Sequence, residues 1–443
     1  MGTFIALMLL VTGLVLQRHR KSWIAPDVFF CYEWALITFM ASLSLFSIYK
    51  ADDFTWIIVF IGCFSFVAGV QIVLSKQKTS NHVKIMNDTG TPFFNIPTFW
   101  IIFVFILFST YKDFEYTLSF LEQGYTLGQV KHAMSTGDTS IVDYERGSGA
   151  IYRITKVVYP GFRLLVSAVG IHYYVKGGKW SSLYLVAIIS LTILESFTTG
   201  GRLQVFQLII TLFVCYNLIY SRKSNTKFRF SKATIFISIG VLVFAIIAVS
   251  MARGWEEEDF SEKYYRYLCG NIALLDYYLP KITDSTPYYL VWNSFNGLWG
   301  IIFPVLYFIF RIPKPDIYQN ALNTINVTQD DVQIAPDTFM NAYTTPYYFL
   351  YADARIPGVI LGMLLLGFLC GKIYANVKQN MTGRNIAYYV IVSHMIFQTL
   401  VSYPFTYSSY TFVVLFFLFY KRKTMNIFSF NIFKRRIPKL SRK

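Results

Sequence analysis

The sequence predicts an all-α polytopic membrane protein, and three observations lead to that fold class. First, 55% of the 443 residues are hydrophobic and only 14% are charged. Second, the mean hydropathy is positive, at +0.45. Third, long apolar runs recur along the chain, separated by segments that carry most of the charge. This composition excludes a water-soluble domain with a polar shell.

Eleven apolar runs predict about eleven membrane-spanning helices, within limits of ten and twelve. Several runs are shorter than the ~20 residues that cross hydrocarbon, so their helices must extend into flanking aromatic residues. The first run is followed by Arg18 and preceded by no basic residue, the reverse of a secretory signal peptide, so it should remain as a span. The runs are 2–16, 28–48, 54–74, 97–110, 157–174, 182–197, 203–220, 233–251, 356–374, 386–402 and 410–420.

Basic residues determine the predicted orientation, because they collect in every second connection between the spans. Placing those connections in the cytoplasm assigns 24 of the 40 basic residues to one side, with the amino terminus outside and the carboxyl terminus inside. The net charge of +16 is then a topology signal, and no nucleic-acid partner is expected because the sequence contains no basic soluble domain. We predict a single integral membrane domain, 1–443, with a basic cytoplasmic tail, 421–443, on the anionic leaflet.

Two long segments face the exterior in this topology, 112–156 and 253–355. The second contains the apolar stretch 289–310, which would move the basic tail outside if it crossed the membrane. We therefore predict that this stretch forms a re-entrant or surface-lying helical hairpin, broken near Asn296 and at Pro304.

Neither the five cysteines nor the five histidines form a recognisable metal-binding motif. The cysteines show no CxxC spacing and four of them lie in apolar runs, so no disulfide framework is predicted. The histidines show no HExxH spacing, which disfavours a zinc enzyme. No metal or other cofactor is expected.

The turn Gly200, Gly201, Arg202 between two apolar runs is the most informative local feature. Glycines let the backbone approach a ligand, and a guanidinium at a membrane boundary suits an anionic headgroup such as a lipid-linked diphosphate. Interfacial snorkelling explains a single arginine equally well. Arg253, however, ends another apolar run on the same predicted side, and Arg266 follows it.

Arg163 and Glu195 are among the ionisable residues within the predicted spans, and each should face a cavity or an opposite charge. Glu195 lies seven residues before Arg202, two turns along one helical face if the helix continues that far. It could therefore point toward Arg202, or it could be the structural partner of Arg163. The structural partnership is the favoured interpretation.

The external segments combine aromatic, acidic and amide side chains, as carbohydrate sites do. Aromatic faces stack on sugar rings, while polar groups bind sugar hydroxyls. An aromatic belt at the membrane interface accounts for part of the tyrosines without any ligand. The candidate sugar-binding residues are Asn341, Tyr343, Tyr347 and Tyr348, and the candidate general bases are Asp353, Asp337 and Glu145.

Several short motifs share an order along the chain. They are Thr-Gly-Gly-Arg at 199–202, Arg-Gly at 253–254, the long external segment behind it, and Asn-Ala-Tyr-Thr at 341–344 followed by Asp353 and Gly358. In this arrangement, which covers most of the chain, the sequence resembles the O-antigen and capsule repeat-unit polymerases (Wzy family). Where such polymerases often have a glycine after the last aspartate, this chain has Ala354.

The resemblance implies a metal-independent glycosyltransferase with an all-helical membrane fold of the GT-C type. It would join oligosaccharide units carried on undecaprenyl diphosphate, as donor and acceptor, at the outer face of a bacterial plasma (inner) membrane. Arg202, Arg253 and Arg266 would stabilise the departing diphosphate, and one of the candidate acids would position or deprotonate the acceptor hydroxyl. Membrane lipids are expected partners, and a chain-length regulator is a further candidate.

A flippase or other transporter of lipid-linked oligosaccharides is the main alternative. The absence of detectable repeat symmetry and the long aromatic external segment are both unusual for alternating access. Another lipid-dependent transferase is a third alternative. An acyltransferase would be expected to place a histidine base among the helices, where only His172 and His394 could serve.

Overall fold

A computed structural model describes residues 1–76, 94–130, 150–176, 180–220, 232–252, 260–336 and 338–419. Helices dominate these ranges, and each predicted apolar run coincides largely with one of them. They are α1 Gly2–Arg20, α2 Pro26–Leu43, α3 Asp53–Leu74, α4 Ile96–Glu122, α5 Ala150–Lys176, α6 Ser181–Thr199, α7 Leu203–Tyr220, α8 Lys232–Ala252, α9 Phe260–Tyr278, α10 Asn296–Phe310, α11 Asp316–Asn326, α12 Thr345–Gln379, α13 Gly383–Gln398 and α14 Ser408–Phe419. A short antiparallel hairpin joins β1, Val332–Ala335, to β2, Thr338–Met340.

Five of the described helices, α1, α3, α4, α6 and α12, are long and apolar enough to cross a membrane. Leu203–Leu218 of α7, Gly240–Met251 of α8 and the whole of α10 are shorter apolar segments. These helices confirm the all-α membrane class, whereas the count of eleven spans and the GT-C likeness stay predictions. The predicted tail, 421–443, lies outside the described residues.

The closest helix packing in the described bundle is that of α12 on α3, where glycines bring the two backbones together. A Cβ atom on Gly69 would lie 2.1 Å from the Leu364 carbonyl oxygen, and one on Gly367 would lie 2.1 Å from the Phe66 oxygen. Small residues permit such close approach between helices in membranes. α2 packs on α1 and also contacts α3. A second group of helices, α4 to α8 with α13 and α14, completes the bundle.

Three helices differ from the sequence prediction near the predicted external face. α10 runs from Asn296 through Pro304 to Phe310, so the predicted break at Pro304 is wrong. A proline removes one backbone donor, and here the helix continues beyond it. α4 extends to Glu122, well into the segment predicted as the first external loop. α12 has non-helical dihedral angles at residues 354–355, so 345–353 forms a separate segment before the long helix.

α9 lies across the connection between α2 and α3. Near its start, Tyr265 donates a hydrogen bond to the Met40 carbonyl at 2.6 Å and accepts one from the Leu45 N–H at 3.0 Å. Burial raises the pKa of Tyr265 to about 12, which further favours the neutral phenol that makes both bonds. Near the end of α9, the Asp276 carboxylate accepts from the Asp52 N–H at 2.8 Å. These contacts hold α9 over one end of the bundle.

Candidate functional site

Arg202 lies in the tight turn between α6 and α7. Gly200 ends α6 in the left-handed conformation, with φ 59°, which explains glycine there because residues with a Cβ rarely adopt it. The Arg202 carbonyl accepts the Val205 N–H at 3.1 Å as α7 begins. The Gly201 N–H donates to Thr199 Oγ1 at 3.2 Å. Arg202 therefore lies at the amino-terminal end of α7, where the helix dipole is positive.

The Arg202 side chain is buried against two tyrosines of α9. The residue is 8% exposed, and its Cζ lies 4.8 Å from the Tyr267 ring centroid and 5.7 Å from that of Tyr264. Aromatic faces hold a guanidinium by cation–π attraction without cancelling its charge. An arginine that only snorkels would extend toward water, whereas this one turns inward among rings.

A third tyrosine extends this arrangement toward the segment before α12. The ring of Tyr343 meets that of Tyr267 edge-on, with centroids 5.7 Å apart. The structure thus brings Arg202, predicted to bind the diphosphate, and Tyr343, predicted to bind a sugar, into contact with the same aromatic ring, that of Tyr267. We call Arg202, Tyr264, Tyr267 and Tyr343 the arginine–tyrosine cluster.

The end of α8 also reaches the cluster. Ser250 Oγ lies 3.1 Å from the hydroxyl oxygen of Tyr264. Arg253 follows three positions later and lies outside the described residues, as do Asp337 and Glu145. The part of α8 that leads to Arg253 is therefore adjacent to the cluster.

Other predicted residues make contacts of their own. Arg266 forms an ion pair with Glu262, one turn earlier on α9. The Asn341 amide donates to the Gln329 carbonyl at 3.0 Å and to the Asp331 carboxylate at 2.8 Å. None of these three contacts joins Arg266 or Asn341 to the cluster.

Three predicted site residues lie in segment 345–353, and packing accounts for their positions. Tyr347 is fully buried beside Trp34, with ring centroids 4.9 Å apart, and its hydroxyl lies 3.1 Å from Cys63 Sγ. Tyr348 is buried and donates to the Thr324 carbonyl at 3.2 Å. In this conformation, neither ring has an exposed face with which to stack on a sugar.

Asp353 is the third predicted site residue in segment 345–353. It is 2% exposed, and its carboxylate binds a backbone turn. Its Oδ1 accepts the Asn293 N–H at 3.0 Å and its Oδ2 accepts the Ser294 N–H at 2.9 Å. Two backbone donors on one carboxylate fix the turn that precedes α10 against the end of segment 345–353.

A buried polar network joins the helices beside Arg202. Arg163 Nη1 lies 3.0 Å from Glu195 Oε2, which confirms the expected structural pairing. Arg163 Nη2 also donates to Gln207 Oε1 at 3.2 Å, and the Gln207 amide donates to the Tyr410 hydroxyl at 2.9 Å. His394 Nε2 lies 2.8 Å from the Gln207 carbonyl oxygen. The network therefore connects α5, α6, α7, α13 and α14.

Tyr264 and Tyr267 were not among the predicted site residues. A signal was present, because residues three positions apart on a helix share a face. The spacing could not indicate that this face would meet Arg202. Among the residues that the structure describes, no three His, Cys, Asp or Glu side chains are grouped so that they could hold a metal ion.

Comparison with known families agrees with the motifs. The family model of O-antigen polysaccharide polymerase Wzy matches residues 4–265, more than half of the chain. The match runs from α1 into α9 and includes Arg202 and Tyr264. No curated protein and no solved structure is significantly similar to the chain. The chain therefore belongs to the O-antigen polysaccharide polymerase (Wzy) family, whose members act on lipid-linked oligosaccharide repeat units.

Proposed function

We propose that this protein joins oligosaccharide repeat units carried on undecaprenyl diphosphate at the outer face of a bacterial plasma membrane. An acceptor hydroxyl attacks the anomeric carbon of the donor glycan, and the bond from that carbon to the diphosphate oxygen breaks. The diphosphate departs on its lipid, and the hydroxyl proton passes to a base or to water. Membership of the polymerase family supports this reaction class.

The observation that carries the proposal is the position of Arg202. Its guanidinium is held by Tyr264 and Tyr267 at the positive end of α7, so two sources of positive potential coincide. The leaving diphosphate gains negative charge as the glycosidic bond breaks, and preorganised cations stabilise that charge most in a shielded site. Because the donor already carries a good leaving group, such cations could replace a metal ion.

Arg253 and Arg266 are the proposed additional cations. Arg253 follows three positions after Ser250, whose Oγ contacts the hydroxyl of Tyr264, and this contact supports its proposed role. Arg266 would exchange its partner Glu262 for the diphosphate when the substrate binds. Tyr343 offers the aromatic surface for a sugar, and Asp337 and Glu145 remain candidate bases for the acceptor hydroxyl.

Reconstitution tests the proposal. Purified protein in liposomes, given lipid-linked repeat units, should convert them into a ladder of longer glycans on a gel. A transporter would move single units across the bilayer without joining them. Single units that stay unjoined under conditions in which the protein is folded would contradict the proposed activity.

A further inference from the structure

Three fully buried polar side chains lie beside the arginine–tyrosine cluster with hydrogen-bonding atoms unused. They are Asn271, Thr344 and Thr345. Asn271 Oδ1 and both threonine hydroxyls have no hydrogen-bond partner among the described residues. Buried polar groups are nearly always paired, so three orphan atoms on neighbouring residues require an explanation.

Contacts with one loop bring the three residues together. The Asn271 amide donates to the Leu400 carbonyl at 2.9 Å, and the Thr345 N–H donates to the next carbonyl, that of Val401, at 3.1 Å. Asn271 also lies one helical turn, about 6 Å, beyond Tyr267 on α9. Thr344 follows Tyr343 directly in the chain, so the three residues lie next to the aromatic pair of Tyr267 and Tyr343 along the two segments that meet there.

The backbone here is strained at two positions. Ala342 and Thr345 both have φ 63°, in the left-handed region. This region is uncommon for alanine and a clear outlier for a β-branched threonine. Such outliers persist where the surrounding structure enforces them, often at ligand sites. The two strained residues flank Tyr343 and Thr344, so relaxation of either would re-aim these side chains.

We propose that Asn271, Thr344 and Thr345 form a subsite for the hydroxyl groups of the sugar bonded directly to the diphosphate. This inference rests on the proposed function. An amide oxygen accepts from sugar hydroxyls, and threonine hydroxyls both donate and accept. One turn of α9 separates the subsite from Tyr267, which contacts Arg202, so the diphosphate and its first sugar can be bound together. The three side chains are fully buried in this conformation, so a sugar can enter only when neighbouring side chains such as Tyr343 move.

The double variant Thr344→Val, Thr345→Val tests this subsite. Valine keeps the shape and β-branching of threonine but removes the hydroxyl. We expect the KM for the lipid-linked repeat unit to rise roughly 10-fold or more, because two hydrogen bonds to substrate are lost. The melting temperature in detergent should stay equal or rise, since an unsatisfied buried group has been removed. Asn271 is left intact because its amide anchors Leu400.

Thr98→Val is the matched control, because Thr98 is also buried with an unused hydroxyl but lies at the start of α4. This variant should keep the wild-type KM, and its melting temperature should likewise stay equal or rise. If the double variant has the wild-type KM for the lipid-linked repeat unit, the subsite is overturned. The orphan atoms would then bind a buried water and no sugar. If the melting temperature and the activity of the double variant both fall, the subsite is overturned, and the two threonines have a structural role.

Binding is measured separately from turnover, by the rise in melting temperature that the lipid-linked unit produces. If the wild type binds the unit without polymerising it and the double variant fails to bind, the subsite stands and the proposed function fails. If the wild type neither binds nor polymerises the unit, both are overturned.

Discussion

Two properties of the Arg202 guanidinium matter for the proposed chemistry. Its planar fork matches the oxygen atoms of a diphosphate, and its Cζ lies 4.8 Å from the centroid of the Tyr267 ring, within cation–π distance. A lysine ammonium carries the same charge without the fork or the flat face. Charge and geometry can therefore be separated by one substitution.

Arg202→Lys should insert into the membrane normally but polymerise slowly. We expect turnover to fall about 30- to 1000-fold, equivalent to about 2 to 4 kcal/mol of transition-state stabilisation. The measurement is the kcat of purified protein with lipid-linked repeat units. Arg384→Lys is the control and should keep normal turnover. Arg384 also contacts a tyrosine ring, that of Tyr388, but both residues lie on α13, away from the cluster. Normal turnover in Arg202→Lys would leave Arg202 as an interfacial anchor.

Asp353→Asn should destabilise the protein. The carboxylate accepts two backbone N–H groups, and an amide has only one oxygen, so one buried donor would face an NH2 group. An unsatisfied buried donor costs about 1 to 3 kcal/mol, and a lower melting temperature in detergent should reveal it. If Asp353 were the general base, turnover would fall about 100-fold while the melting temperature and donor binding stayed normal.

Some residue partners were predictable and others were not. Arg163 and Glu195 could be paired from sequence because each is an isolated charge in a span and needs an opposite charge. Tyr347 could not be assigned to the core, because membrane-interface belts, sugar sites and buried cores all use tyrosine. The burial of Asp353 depends on a turn sixty residues earlier in the chain, which local sequence does not encode.

At the scale of elements, helix positions follow from the apolar runs because a spanning backbone must satisfy its own hydrogen bonds. The interruption of α12 at residues 354–355 had only a weak signal, Pro357, since proline disfavours helical geometry just before it. The extension of α4 to Glu122 was missed because Lys112, Asp113 and Glu115 interrupt the continuous apolar run. Phe114, Leu118 and Leu121 nevertheless recur at helical spacing. The close contact of α3 with α12 depends on which glycines face each other.

Gly367→Leu should disrupt the packing of α12 on α3. Even a single added carbon would lie 2.1 Å from the Phe66 carbonyl oxygen, so the helices would have to separate. Overpacking of this kind costs at least about 1 to 3 kcal/mol. The measurement is the yield and melting temperature of monodisperse protein in detergent. Gly240→Leu is the control, because a Cβ on Gly240 of α8 meets nothing within 4 Å. Equal stability of the two variants would contradict the proposed packing.

At the scale of the whole molecule, the functional candidates converge on one end of the described bundle. The α6–α7 turn, the end of α8 and the segment before α12 all meet α9. α9 in turn lies over the α2–α3 connection, which the charge distribution assigns to the exterior. The proposed reaction requires this orientation, because the cluster must face the side on which repeat units are joined.

Cysteine labelling in intact cells tests that orientation. The five native cysteines are buried, so a membrane-impermeant thiol reagent should report mainly on an introduced residue. Asn326→Cys, at the exposed end of α11, should be labelled without permeabilisation. Ser75→Cys, exposed at the end of α3 predicted to be cytoplasmic, should be labelled only after permeabilisation. The reverse pattern would place the arginine–tyrosine cluster in the cytoplasm, and the proposed polymerisation at the outer face would fail with it.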